Sequence, residues 1–333
     1  MMINMRFLRK IRNRIYTYYR QQIVREQYPM LTSLSRKEWQ DRGALGVVYM
    51  LHHITPKNPK GIPTNEDLKV SQEILERIIL KYKKERFDFV SLDELSEIIT
   101  SEKKPEHPFV SFTIDDGYLD NYTNALPVFE RHQVPFAIFI ATDFIDKKTI
   151  LWWDILEDII LNNDSVIIEN NEYRCRTFQE KWNLFRILRE KILSLEQIRI
   201  EDALKEMFAN YDIDWFEPIR RQAMSWEQVK EISQHRLCTI GGHTVSHFAL
   251  NQLSEEDFRQ EVSEGIVKLQ TAIGKPIRHF AYPYGSPNEI GEREYRFISE
   301  FNLKTAFIAY GGCIIEENKI NITHLPRVYL HEQ

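Results

Sequence analysis

Apolar and polar positions along the chain alternate between two periods. Short β-branched and aromatic runs at residues 46–51, 87–90, 109–114, 134–140, 237–240, 277–282, 304–308 and 322–330 read as buried strands. Between them the apolar period lengthens to that of a helix. Residues 66–86 place Leu75, Ile78, Ile79 and Tyr82 on one face, and residues 91–99 and 125–131 continue the rhythm. Ser225 with Gln228 three residues on predicts a capped helix over 225–232. Ser254 with Asp257 opens another, whose stripe Phe258, Val262, Ile266, Leu269 stops at Gly274. Strands alternating with helices predict an α/β fold with a parallel sheet, and seven or so strands predict a barrel or a doubly wound sheet.

The rhythm breaks over residues 146–223. Trp152, Trp153, Ile155, Leu156, Ile159 and Ile160, and then residues 182–193, all keep helical spacing. This stretch reads as a helical insertion and not a repeat. Trp152 and Trp153 offer stacking faces for sugar rings, although aromatic residues at helical spacing are more often core.

Composition narrows the function classes. With 333 residues the chain can bury a full core, and 43% hydrophobic and 28% charged residues are those of a soluble globular protein. A net charge of -5 carries no nucleic-acid footprint. Cys175, Cys238 and Cys313 are widely spaced and odd in number, which predicts free thiols and a reducing compartment. Residues 1–22 hold Arg6, Arg9, Lys10, Arg12, Arg14 and Arg20 and lack the apolar core of a signal peptide. Leu8, Ile11, Ile15 and Tyr18 fall at helical spacing among those charges. That pattern suits a basic amphipathic helix lying on an anionic membrane surface, or one packed on its own domain. No later run is long enough to span a bilayer. The expected location is therefore the cytoplasm, including the inner face of the membrane.

Several strand runs end in chemistry. The run 109–114 stops at Asp115, Asp116 and Gly117. Alternation would point the two carboxylates to opposite faces, but a turn at Gly117 can bring both above the sheet. The tripeptide by itself is also ordinary turn sequence. His243 and His247 follow Gly241-Gly242 at another strand end, about one helical turn apart, a spacing that lets both bind one cation. With Asp116 they form a two-histidine, one-carboxylate set that leaves coordination positions open, as catalytic zinc does. The run 277–282 leads into Pro283, Tyr284 and Gly285, a loop suited to walling a shallow groove for a polar ring, and the first strand runs into His52 and His53. In parallel α/β folds reacting groups gather at the carboxyl ends of strands.

On these motifs the chain resembles the polysaccharide deacetylase family, the NodB-homology or carbohydrate esterase family 4 enzymes, from about Gly46 to Tyr329 apart from the insertion. Thr113-Ile-Asp-Asp-Gly117 matches the family's Thr-Phe-Asp-Asp-Gly signature, and His243-Thr-Val-Ser-His247 matches its His-Ser/Thr-x-x-His signature. His52 stands where many relatives carry a histidine after the first strand. The resemblance implies a distorted (β/α) barrel of seven or eight parallel strands, made of residues 41–145 and 224–333. The basic extension would then be 1–40 and the helical insertion 146–223. It implies a divalent metal, most often Zn2+, held by Asp116, His243 and His247, with Asp115 as general base and the Tyr284 backbone N–H as oxyanion donor. Tyr282, Pro283, Tyr284 and His52 would contact substrate.

Two positions depart from the family pattern. Ala281 replaces the arginine of the third motif that orients the base, and Arg327 is the substitute in order, against the alternative of a surface arginine. The late Leu-x-His motif that supplies the general acid has no clean match. His324 is the nearest candidate, against a simple strand or turn histidine. The expected function is metal-dependent removal of an N-acetyl group from an amino sugar of a polysaccharide or lipid-linked glycan precursor. Hydrolysis of another C–N bond, in a cyclic amide or formamide, is the second enzymatic reading. Glycan binding without turnover, on a degenerate scaffold, is the third.

Overall fold

Seven parallel strands close into a ring. In the computed structural model, which describes residues 36–41, 43–316, 318 and 321–330, the strands are β1 (Ala44–Leu51), β2 (Asp88–Phe89), β3 (Phe109–Asp116), β4 (Phe136–Ile140), β5 (Ser165–Ile168), β6 (Asn171–Arg174), β7 (Cys238–Gly242), β8 (His279–Ala281), β9 (Thr305–Gly311), β10 (Ile314–Ile315) and β11 (Leu325–Tyr329). The order β1-β11-β9-β8-β7-β4-β3 returns to β1 through the parallel β1–β3 pairing. The ring is distorted: a register shift occurs between Leu325 and Arg327 of β11 against β9, and β7 meets β8 only at Gly242 and Phe280.

The run 87–90 contributes only Asp88–Phe89, which pairs with the start of β3 and takes no part in closure. β10 pairs antiparallel with the start of β1. Residues 1–22, with the amphipathic helix and membrane contact expected of them, lie outside the described residues. So does most of the extension 1–40. No helix among the described residues is long and apolar enough to cross a membrane.

β3 and β4 are buried at every position and β1 at all but its first, as expected of strands covered on both faces. Val110, Phe112 and Ile114 of β3 point out, against the surrounding helices, in a cluster with Val47, Tyr49, Ile138 and Ile140. Phe109, Phe139, Ala281, Phe307 and Leu325 form a cluster with Val48 and Ala137. The period of two thus sends Ser111, Thr113 and Asp115 the same way as Phe109.

Helix ends follow local chemistry. Ser225 and Gln228 form the predicted capping box on Trp226–Gln234, and Ser91 with Glu94 caps Leu92–Thr100 in the same way. Ser254 accepts from the Asp257 N–H, and Gly274 closes Glu255–Ile273 at φ 69°. The single helix expected over 66–86 is two, Pro63–Glu66 and Gln72–Lys84, because Ser71 caps the second by accepting from the Ile74 N–H.

The segment between β4 and β7 carries the helices Thr142–Ile145, Trp152–Leu161, Phe178–Leu193, Ile200–Met207 and Glu217–Gln222. It also carries a β5–β6 hairpin where the sequence reading had only helices. The hairpin turns through Glu169 and Asn170, both at positive φ (50° and 65°), in the manner of tight two-residue loops. Ile155, Leu156, Ile160, Val166, Phe185 and Leu188 give this segment its own apolar cluster.

Close packing inside the ring sets a testable limit. A Cβ on Gly241 would fall 2.4 Å from the Phe139 ring and 3.0 Å from the His279 carbonyl oxygen. Gly241→Ala should therefore lower stability by about 1–3 kcal/mol through overpacking, read as a lower urea midpoint at unchanged slope.

Candidate functional site

The chemistry gathers at the carboxyl ends of β3, β7 and β8. β3 keeps extended geometry through Asp115, and the chain then enters the left-handed region at both Asp116 (φ 79°) and Gly117 (φ 101°). The turn expected at Gly117 therefore begins one residue earlier. Glycine adopts this conformation freely, whereas Asp116 holds it at a cost that surrounding contacts must offset. As a result the two carboxylates face different partners.

Asp116 Oδ1 lies 3.3 Å from His243 Nε2 and 3.2 Å from His247 Nε2. These three are the one group of histidine, cysteine or carboxylate side chains among the described residues whose ligand atoms converge closely enough to hold a metal ion. The His243 Nδ1 atom is 2.7 Å from the Ala281 carbonyl oxygen, which requires the proton on Nδ1 and leaves the Nε2 lone pair facing Asp116. Asp116 Oδ1 and His247 Nδ1 are buried without a hydrogen-bond partner. A buried lone pair aimed at a buried carboxylate oxygen is costly without a cation between them, so the donor set fits a divalent metal. Burial pushes the Asp116 carboxyl pKa up, but His247 and His243 more than offset this and hold it well below the usual carboxylate range.

The residues between the two histidines form a loop and not the helical turn that their spacing suggests. Thr244 (φ 67°) and His247 (φ 60°) are left-handed, and the His247 N–H donates to Thr244 Oγ1 at 3.1 Å. Neighbours brace the loop on two sides. Glu261, on the helix Glu255–Ile273, accepts from the N–H groups of Val245 (3.1 Å) and Ser246 (2.8 Å) through one oxygen. The Thr142 and Asp143 N–H groups donate to the Thr244 and Val245 carbonyls. Gly265 brings the helix backbone so near that a Cβ would meet the Thr244 carbonyl at 2.9 Å. Sequence reading missed Glu261. Its signal was present, since position 261 lies one helical turn after Phe258 on the inward face.

Asp115 is engaged by Arg327, which is fully buried on β11. Arg327 Nη1 donates to Asp115 Oδ1 at 2.7 Å and Nη2 to Oδ2 at 2.8 Å, while further N–H groups reach the Ile308 carbonyl and Thr113 Oγ1. Arg327 is therefore no surface arginine. Burial raises the Asp115 pKa, and the Arg327 guanidinium reverses this, leaving the carboxyl below its ordinary value. His52 Nε2 stands 4.0 Å from Asp115 Oδ2, its ring stacked on Tyr329, and burial lowers its pKa.

A cavity of about 350 Å³ opens over this cluster, between the ring and the helix Phe178–Leu193. Asp115, Asp116, His52, His243, His247, Tyr282 and Tyr284 line it together. Tyr284 presses its ring against His247 at 4.7 Å, and its hydroxyl accepts from Trp152 Nε1–H at 3.2 Å. The Tyr284 N–H donates to no backbone carbonyl among the described residues. Tyr282 commits its hydroxyl to the Thr323 carbonyl. Trp152 and Trp153 are core and cavity wall at once, packed on one another and lining the opening.

Two expected site residues lie elsewhere. Pro283 does not line the cavity. Nor does His324, whose ring stacks on Tyr295 at 4.4 Å, with Nδ1 3.2 Å from Thr323 Oγ1, at the start of β11 and away from its carboxyl end. The general-acid expectation for His324 has no contact with the cluster to support it, since His324 stands where β11 begins.

Comparison with known proteins bears on the family and the fold. Residues 102–297 match the family model described as polysaccharide deacetylase. The Bacillus subtilis (strain 168) protein YxkH, a polysaccharide deacetylase by provisional name, is 27% identical over 196 residues, which are 59% of this chain and 44% of that relative. The match thus spans less than half the length of the relative. Among solved structures, the Streptococcus pyogenes deacetylase PplD in complex with acetate superposes with a TM-score of 0.57 at 16% identity, covering 86% of this chain and 92% of that one. IcaB from Ammonifex degensii gives a TM-score of 0.55 at 18% identity, over 86% and 92%. At these identities the structures share the fold.

The buried pair and the loop brace each yield a prediction. Arg327→Met strands the Asp115 carboxylate and should cost about 3–5 kcal/mol of stability. The double variant Asp115→Leu, Arg327→Met should recover most of that loss in a urea titration. Glu261→Ala should weaken metal affinity about 10–100-fold, measured by chelator competition, because the loop presenting both histidines loses its anchor.

Proposed function

This chain belongs to the polysaccharide deacetylase family, and we propose that it is a metal-dependent hydrolase that removes an N-acetyl group from an amino sugar. The convergence of Asp116, His243 and His247 beside the separately held Asp115 carries this reading. Asp116 and the two imidazoles would hold the cation, and a set of two nitrogens and one oxygen favours zinc. When bound, the metal supplies Lewis acidity toward the acetamide carbonyl and toward water.

The protein's own groups supply the rest. Asp115 acts as the general base, with Arg327 fixing both carboxylate oxygens and keeping the group ionised at neutral pH. The Tyr284 N–H is the donor for the oxyanion that forms on the acetamide oxygen. His52, expected as a substrate contact, takes the general-acid role in place of His324, which does not line the cavity. At 4.0 Å from Asp115 its Nε2 is within reach of the proton the base collects, and it delivers that proton to the leaving amine. Burial keeps His52 neutral at rest, so it begins ready to receive. Residues 146–223 form an inserted segment whose helix Phe178–Leu193 walls the cavity against the ring. A glycan precursor handled in the cytoplasm rests on the basic composition of residues 1–22 alone.

The test combines metal content with acetate release from N-acetylglucosamine oligosaccharides. About one zinc per chain should be retained and lost in the His243→Ala, His247→Ala double variant. Asp115→Asn and His52→Ala should each reduce acetate release by about 10²–10⁴-fold while leaving zinc bound. Sugar binding without acetate release from any oligosaccharide, at full zinc occupancy, would replace this reading with a non-catalytic one. Release of formate or ring opening of a cyclic amide, without acetate release, would move it to another C–N bond.

A further inference from the structure

Opposite the metal-ligand cluster, the helix Phe178–Leu193 presents Arg186 and Arg189 to the same cavity. The Arg189 guanidinium is 6.0 Å from the Tyr284 ring centroid, and that ring is 4.7 Å from the His247 ring. Arg189 is half-buried and makes no hydrogen bond or ion pair within 4 Å among the described residues. A guanidinium held near an aromatic ring keeps its in-plane N–H donors free, and those donors match a carboxylate or phosphate in pairs. A cation poised at a cavity wall with no hydrogen-bond or ion-pair partner is chemistry without an occupant.

The acids around it do not neutralise it. Asp67 is paired with Lys57 at 3.0 Å. Glu289 already accepts from the Ser286 hydroxyl, and burial pushes its carboxyl up toward the neutral form, with Arg189 opposing this only in part. Glu190 also lines the cavity, but it is exposed to solvent and makes no ion pair with Arg189. The remaining contacts nearby, Asn65, Asn251 and Ser286, are neutral and polar, as suits hydroxyl groups of a saccharide.

We propose that Arg189 forms an anion subsite, and that the substrate is a saccharide bearing a phosphate or carboxylate on the sugar whose amide is cut or on its neighbour. This deepens the deacetylase reading and rests on it for the position of the amide. Two ring contacts, Arg189 to Tyr284 and Tyr284 to His247, link the anion contact to the reaction centre. The helix that carries Arg189 belongs to the segment inserted between β4 and β7, so substrate charge is read by the insertion and bond cleavage is performed by the ring.

Binding of three probes to the full chain tests this: N-acetylglucosamine, its 1-phosphate, and N-acetylmuramic acid, each at low ionic strength, with zinc and after chelation. Chelated protein removes direct phosphate binding to the metal as an explanation. We expect at least one charged probe to bind tenfold or more tightly than the neutral sugar in both forms, and the stronger one identifies phosphate or carboxylate as the source. Arg189→Gln should erase the difference and Arg189→Lys should keep part of it. Lys191→Gln, on the outer face of the same helix and paired with Glu169, should leave it intact. The inference is overturned if Arg189→Gln retains the preference, if Lys191→Gln loses it equally, or if chelation abolishes it. Arg189-dependent binding without acetate release from any probe would leave the subsite standing and count against the deacetylase reading instead.

Discussion

Everything at this site depends on keeping two adjacent carboxylates ionised inside a closed ring of strands. Desolvation works against both Asp115 and Asp116, and a buried carboxylate without compensation takes up a proton instead of staying charged. The protein solves the two cases differently. Asp115 receives a permanent cation from within the chain, in the two-point geometry that only arginine provides. Asp116 receives the Nε2 atoms of two imidazoles at 3.3 and 3.2 Å, an arrangement that leaves room for a mobile cation. One carboxylate is thereby held by a fixed internal charge, and its neighbour faces a cluster that could take a cation.

Much of this was legible in the sequence because the relevant signals are local. The strand runs, the Ser225 and Ser254 caps, the Asp115-Asp116-Gly117 turn and the His243, His247 pair each lie within a few residues of their own structural cause. What was not legible depends on contacts between distant segments. Arg327 and Asp115 are 212 residues apart, and order in the chain could suggest the pairing but not its geometry. His324 and Arg327, three residues apart, looked equally placed in the sequence. Yet one stacks on Tyr295 at the start of β11, and the other reaches the centre of the ring. The β5–β6 hairpin was hidden for another reason: strands of four residues are too short for alternation to stand out from a helical background.

The histidine loop shows how spacing can mislead about conformation while still locating chemistry. A helical turn would have set the two rings in line, but the observed loop sets their centroids 4.9 Å apart through two left-handed residues. Left-handed geometry at a β-branched threonine is unfavourable by itself. It persists because Glu261, Thr142 and Asp143 satisfy the loop's backbone groups and Gly265 lets the helix backbone approach. The cost of a metal-ready arrangement is thus distributed over a helix and a strand end that contribute no ligand.

Closure of the ring and the fixing of the Asp115 carboxylate are linked. β11 lies beside β1, and β1 in turn pairs with β3, so the guanidinium of Arg327 crosses the interior of a closed ring to Asp115. Before closure Asp115 would be a hydrated carboxylate at the end of an open sheet. After closure it is dry and opposed by a cation that no solvent screens. Placing Arg327 on β11, with Ala281 in the apolar cluster of Phe139 and Phe307, ties the geometry of Asp115 to completion of the fold. Without β11 in place, the Asp116, His243 and His247 cluster would stand beside an Asp115 that lacks its guanidinium.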